Sequence, residues 1–236
     1  MRGQQDYRNY MAFAKGRSCV VAELDILREA LENMINSIEN RFQNNLDFLK
    51  ARIFDIEHDQ SIPYEEKDSQ LRSLYDEIEK HTCQLHHSRN KLVICIYSIC
   101  EATLASICAD YKINVKHEDQ HNKKKDFYLT DYLFSIDNDY LEKLADAHIV
   151  SLPLRELRNH LTHSSSTKNI FKHIADLNNN GFNDITLFGD QVIIRSKDFL
   201  TSILNCCYNL LNDAETIAKQ KFFSERMSSE NDTTNK

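Results

Sequence analysis

Arg155, Arg158, Asn159, His160, Thr162 and His163 crowd into one stretch, "LRELRNHLTHSSS" at residues 154–166. They are residue types suited to phosphodiester chemistry. A guanidinium is always charged and grips phosphate oxygens through paired N–H donors. An imidazole takes a proton from one oxygen and gives it to another near neutral pH. On RNA, those two abilities would activate a 2′-hydroxyl against its own phosphate, leaving a cyclic phosphate and a free 5′-hydroxyl. That route needs no metal. The alternative for the same residues is a basic helix end whose histidines serve the last carbonyls.

The spacing predicts a helix over 151–163, with Ser151 as N-cap and Pro153 in its first turn. At 100° per residue, Leu154, Leu157 and Leu161 form a core-facing stripe. Arg155, Asn159 and His163 follow at i, i+4 and i+8 on the far side, flanked by Arg158 and Thr162. Arg158 lies about 140° from His163 on an ideal helix, an awkward angle for one helix closing on one phosphate.

Charge is unevenly placed. The 236-residue chain carries a net charge of −7, so it does not advertise nucleic-acid binding as a whole. Between 151 and 173, however, Arg155, Arg158, Lys168 and Lys172 face one anion, Glu156. A second cluster, "HNKKK" at 121–125, falls in a polar loop, where a solvated charged surface is the better explanation.

The elements that would hold this helix are themselves helical. Four Gly and two Pro are too few for a turn-rich fold. Leu24, Leu27, Leu31, Met34, Ile38, Phe42, Leu49, Ile53 and Ile56 form one seam, and Leu71, Ile78, Leu85, Leu92 and Ile99 step by sevens along a second. The break "HDQSIPYEE" at 58–66 makes them a long antiparallel hairpin. The apolar second half of the later helix should be central. There Glu101 interrupts the run, either at an interface edge or paired, because burying it alone is costly. Short helices follow over 127–148 and about 168–178. "DITL" and "QVII" around "FGD" read as a β-hairpin, and a closing helix spans about 197–222. The expected class is all-α, as a polar lead at 1–18, a single domain at 19–222 and a disordered tail at 223–236.

Other chemistries are poorly represented. "HTCQLHH" at 81–87 offers Cys83, His86 and His87 but no full zinc ligand set, and His117 and His121 sit in a loop. There is no Gly-rich phosphate loop and no GxSxG. Seven Cys without CxxC spacing suit a reducing cytoplasm, with Cys95, Cys100 and Cys108 as small hydrophobes. The longest apolar run, "LVICIYSIC", falls short of the ~20 residues of a membrane span. The N-terminus reads as no signal peptide.

"LRELRNHLTHSSS" resembles the Arg-Asn-x-x-x-His signature of the HEPN superfamily, the all-helical domains of prokaryotic ribonuclease toxins and some eukaryotic RNA-processing factors. Arg158, Asn159 and His163 match it residue by residue, while Arg155 and His160 match its spacing. The long hairpin, Glu101 in "YSICE", and "ITLFGDQVIIRSKDFLTSILNCC" extend the resemblance over about residues 20–222, toward a bacterial branch linked to antiphage and toxin–antitoxin loci. One departure is Ser165, where toxins silenced by nucleotidylation carry Tyr. The resemblance implies a HEPN-type bundle and a homodimer with a composite site. It also implies a metal-independent endoribonuclease, without cofactor, acting in the cytoplasm as a toxin or antiphage effector. RNA (tRNA or mRNA) would be its substrate and an antitoxin or sensor protein its partner, with no membrane involved. His163 would be the general base or acid, Arg158 the phosphate clamp and Asn159 an orienting group, with Glu101 a polar contributor. Arg155, His160, Thr162 and Lys168 would line the groove. The alternative is a non-catalytic HEPN-fold module that binds RNA or protein.

Overall fold

The computed structural model describes the backbone of residues 2–116, 128–144, 146–163 and 169–234, and the side chains of 24–116, 128–144, 146–163 and 169–225. "HNKKK", His117, His121, Ser165 and Lys168 lie outside the described residues. The protein is mostly helical, as expected. Its elements are α1 (Arg2–His58), α2 (Tyr64–Asp110), α3 (Leu129–Ile136), α4 (Tyr140–Lys143), α5 (Ala147–Ile149), a π-helical turn (Val150–Leu154), α6 (Arg155–His163), α7 (Ile170–Asn179), β1 (Ile185–Phe188), β2 (Gln191–Ile194) and α8 (Lys197–Thr234). They form two compact units: Met1–Leu31 with Ile96–Leu154 and Leu204–Lys236, and Glu32–Cys95 with Arg155–Ile203.

Helix α1 starts at Arg2, and α8 runs to Thr234. Residues 223–234 contain neither Gly nor Pro, so nothing in them stops a helix already under way. Helix α2 also carries an 18-residue window of mean hydropathy 2.0, long and apolar enough to cross a membrane by length and composition. Run length missed this because Glu101 breaks the run without much lowering the mean. Of that window, 44% is buried inside the protein, and core helices pass the same test.

In the second unit, α1 and α2 pack as the predicted hairpin. Leu49, Ile53 and Leu74 are buried near its turn, with Ile56, Leu71 and Ile78 against them. The turn is tightened by Asp59, whose carboxylate accepts the Ser61 N–H and hydroxyl at 2.8 and 2.6 Å. The seam shifts by one residue at position 34. Met34 is 49% exposed and Ile35 is 1% exposed, because a straight helix drifts out of phase with a strict seven-residue repeat.

Further along the hairpin sits Arg89, only 5% exposed. Its Nε and Nη2 donate to the two carboxylate oxygens of Glu39, each at 2.7 Å. Its Nη1 donates to the carbonyls of Ile194 and Arg195 at 2.8 and 2.7 Å. One guanidinium therefore joins α1, α2 and the end of β2. The strands pair antiparallel with Ile185 opposite Ile194 and Phe188 opposite Gln191. Gly189 takes φ +60° while Asp190 stays at negative φ, the pattern of a tight turn that needs Gly first. Ile185, Val192 and Ile194 point inward, and Phe182 meets Phe199 of α8 edge-on at 6.3 Å between ring centres.

In the first unit, Tyr97, Cys100, Leu104 and Ile107 of α2 are buried, as are Leu129 and Leu133 of α3 and Leu210 and Leu211 of α8. The Tyr208 hydroxyl donates to Asp25, and Arg28 lies over the Tyr208 ring. The thiols behave as core atoms. Burial pushes Cys108 up to about 11 and raises Cys206 above its ordinary value, while a hydrogen bond with Cys100 and then burial raise Cys207.

Helix α2 ends in a Schellman motif, with Ile113 N–H on the Cys108 carbonyl at 2.8 Å and Lys112 N–H on the Ala109 carbonyl at 3.2 Å. Lys112 fills the left-handed position, φ +55°, which glycine normally takes. A side chain there costs about 1 kcal/mol or more.

Arg89→Ala should destabilise the protein by about 3–5 kcal/mol, the usual cost of leaving one partner of a buried ion pair behind. Arg89→Lys should recover only part, since a point charge cannot reproduce a forked set of donors. Urea unfolding measures both, and an unchanged midpoint for Arg89→Ala would contradict this role.

Candidate functional site

Helix α6 grows directly out of the π-helical turn Val150–Leu154 rather than from a capped start. Pro153 has no N–H to complete an α-helical bond, and the wider turn accommodates it. Ser151 is accordingly buried inside the turn and is not an N-cap.

The inward face of α6 also differs from the leucine stripe. Leu154 and Leu157 are fully buried, as expected, but the next inward position is His160, 7% exposed, with Leu161 at the edge. His160 Nε2 donates to the Asp190 carbonyl at 2.9 Å, the carbonyl being able only to accept. Its ring is thus committed to the turn of the β-hairpin. The groove-lining role expected for it does not suit this position.

The outward face carries the remaining groups. Arg155, Arg158 and Asn159 are half-buried, and Thr162 and His163 are exposed. Arg155 Nε donates to Glu156 Oε1 at 3.1 Å, so part of its charge is balanced within the helix. Arg158 Nη1 donates to Asn159 Oδ1 at 3.0 Å, and the Thr162 hydroxyl donates to the Arg158 carbonyl at 2.7 Å. Asn159 therefore orients a guanidinium, and Thr162 returns its hydroxyl to the backbone of its own helix. His163 ends the helix with its ring toward solvent.

Helix α7 packs beside α6 through Ile170, His173, Ile174 and Leu177, all buried, and leaves Lys172 and Phe171 exposed. Phe188 stands at the hairpin tip, two residues before the carbonyl that His160 holds, and is 76% exposed. Sequence pattern passed over Phe171 and Phe188 because an aromatic in an amphipathic helix or a strand reads as core. Their exposure is the signal, since open aromatic faces suit stacking.

Glu101 belongs to the other unit. It is half-buried on α2, and after burial itself its carboxylate is the next cause raising the Tyr132 hydroxyl above its ordinary value. Among the described residues, no group of three or more His, Cys, Asp or Glu could hold a metal ion. Cys83 and His87 are exposed and His86 is half-buried.

Comparison with protein-family models, with curated proteins and with solved structures gives no match to this chain.

His160→Phe keeps an aromatic ring but removes the donor to the Asp190 carbonyl. It should cost about 0.5–1.5 kcal/mol of stability, the net worth of one hydrogen bond. Thermal melting reads this, and a variant with unchanged stability but weakened RNA binding would return His160 to the groove.

Proposed function

We propose that this chain is a HEPN-type endoribonuclease that cleaves RNA by internal transesterification. The observation that carries the reading is the division of α6. Leu157 and His160 are its buried side chains, while Arg158 and Asn159, half-buried, and His163, exposed, are arrayed along its other side. A helix end that spends a guanidinium, its orienting amide and an exposed imidazole in one turn and a half is equipped for phosphate.

His163 takes the proton from a ribose 2′-hydroxyl, and that oxygen attacks the adjacent phosphorus. The bond to the 5′-oxygen breaks, and the leaving oxygen receives a proton from a second acid. Arg158, steadied by Asn159, holds the non-bridging oxygens as their charge grows. Two copies of the chain complete the site, the second imidazole being His163 of the other copy. This arrangement removes the difficulty of the ~140° between Arg158 and His163 on one helix. Phe188 and Arg155 border the strand. The setting is the cytoplasm, and the role that of a toxin or antiphage effector restrained by a protein partner.

His163→Ala should lower cleavage of total RNA or tRNA at least ~100-fold, the usual scale for losing a general acid–base. Its far-UV circular dichroism and melting temperature should stay as in the wild type, because the ring is exposed. Mixed dimers of wild-type and His163→Ala chains should also lose most of their activity, because the composite site uses both imidazoles. Full activity in the folded His163→Ala protein would sink the assignment. A wild-type protein that binds RNA without cleaving it would favour a binding module.

A further inference from the structure

A groove of about 370 Å³ opens in the first unit, between the end of α2, the end of α3 and the last described turns of α8. Lys112, Lys116 and Lys221 line it, together with the rings of Phe134 and Phe222 and the amide of Asn114. Glu225 is the single carboxylate among its described lining residues. The three lysines are exposed and the two rings half-buried.

The frame of this groove is fixed by bonds unrelated to the α6 site. Buried Ser135 accepts the Lys116 N–H on its hydroxyl at 2.8 Å, which sets where the Lys116 side chain starts. Lys221 Nζ donates to the carbonyls of Ser135 and Ile136 at 3.2 and 3.4 Å, at the partially negative end of α3. An ammonium has three donors, so one remains for a ligand. Lys112 occupies the left-handed cap position that glycine would fill with less strain. Its side chain is therefore retained at a cost to the fold, on the rim of a groove that already holds two other cations.

We propose that this groove binds a nucleotide unit, with phosphate on the lysines and the base against Phe134 or Phe222. The volume lies within the range of small-molecule sites. Three ammonium groups against one carboxylate leave the depression net positive, which attracts an anion. Aromatic faces beside ammonium groups match a ligand that is anionic at one end and a flat ring at the other. The same chemistry is offered by a free nucleotide and by one residue of an RNA strand. The proposal does not rest on the α6 reading.

The test is isothermal titration of the full chain with ATP, fluorescence anisotropy with a labelled oligouridylate, and inorganic phosphate as control. Lys112→Gly and Lys116→Ala should each weaken binding by about 2- to 5-fold, the scale of losing an exposed charge contact. Lys80→Ala, on the exposed face of α2 in the other unit, should not. Lys112→Gly should melt no lower than wild type, so that lost binding is not lost folding. ATP binding that survives His163→Ala identifies a free-nucleotide ligand at a site separate from α6. Oligouridylate binding alone, weakened by Lys112→Gly, identifies a strand. No binding of either probe, binding indifferent to both lysine substitutions, or phosphate held as tightly as ATP would overturn the proposal.

Discussion

Arg89 makes four hydrogen bonds from an almost solvent-free position, and its partners belong to elements far apart in the chain. Glu39 ties it to α1, and two carbonyls tie it to the end of β2. A two-stranded hairpin is marginal by itself and needs something to pack on. Here the guanidinium supplies the anchorage, aided by Asn90, whose amide reaches the Val192 carbonyl at 3.4 Å. The hairpin then presents the Asp190 carbonyl to His160, which fixes the rotation of α6. Rotation decides which side chains reach solvent. The outward array of Arg158, Asn159 and His163 thus depends, through the hairpin, on a buried ion pair in the long helices.

Much of this was legible in the sequence and some was not, for definite reasons. Heptad spacing marked both long helices, and "FGD" between alternating residues marked the hairpin within a residue of its observed limits. The ridge on α6 followed from helical rotation alone. Arg89 escaped because an arginine amid "HHSRNKL" reads as a solvated face, and only tertiary contacts distinguish a buried guanidinium from an exposed one. His160 escaped for the converse reason. A histidine five residues after an arginine looked like part of a polar array, while the π-helical turn before α6 and the carbonyl at the hairpin tip made its position an inward one. Lys112 could not be read at all, since a lysine in a left-handed cap breaks the local rule that would have announced it.

The two candidate sites are built on opposite principles. On α6 the proposed reacting groups are carried by a short helix whose other side is locked by Leu157 and His160, so precision comes from a rigid support. In the groove of the first unit Lys112 and Lys116 lie on the segment after α2 and Lys221 on α8, and precision comes from bonds to Ser135 and Ile136. The first arrangement suits a reacting centre that must hold a phosphate and a proton carrier in register. The second suits recognition, where charge and an aromatic surface tolerate small displacements.

The central claim is that α6 directs a 2′-hydroxyl against its own phosphate. Mass measurement of the RNA ends left after incubation in EDTA tests it most directly. The account predicts 3′ fragments ending in a 2′,3′-cyclic phosphate and partners beginning with a 5′-hydroxyl. Fragments ending in a 3′-hydroxyl with 5′-phosphate partners, or RNA left intact, would contradict it.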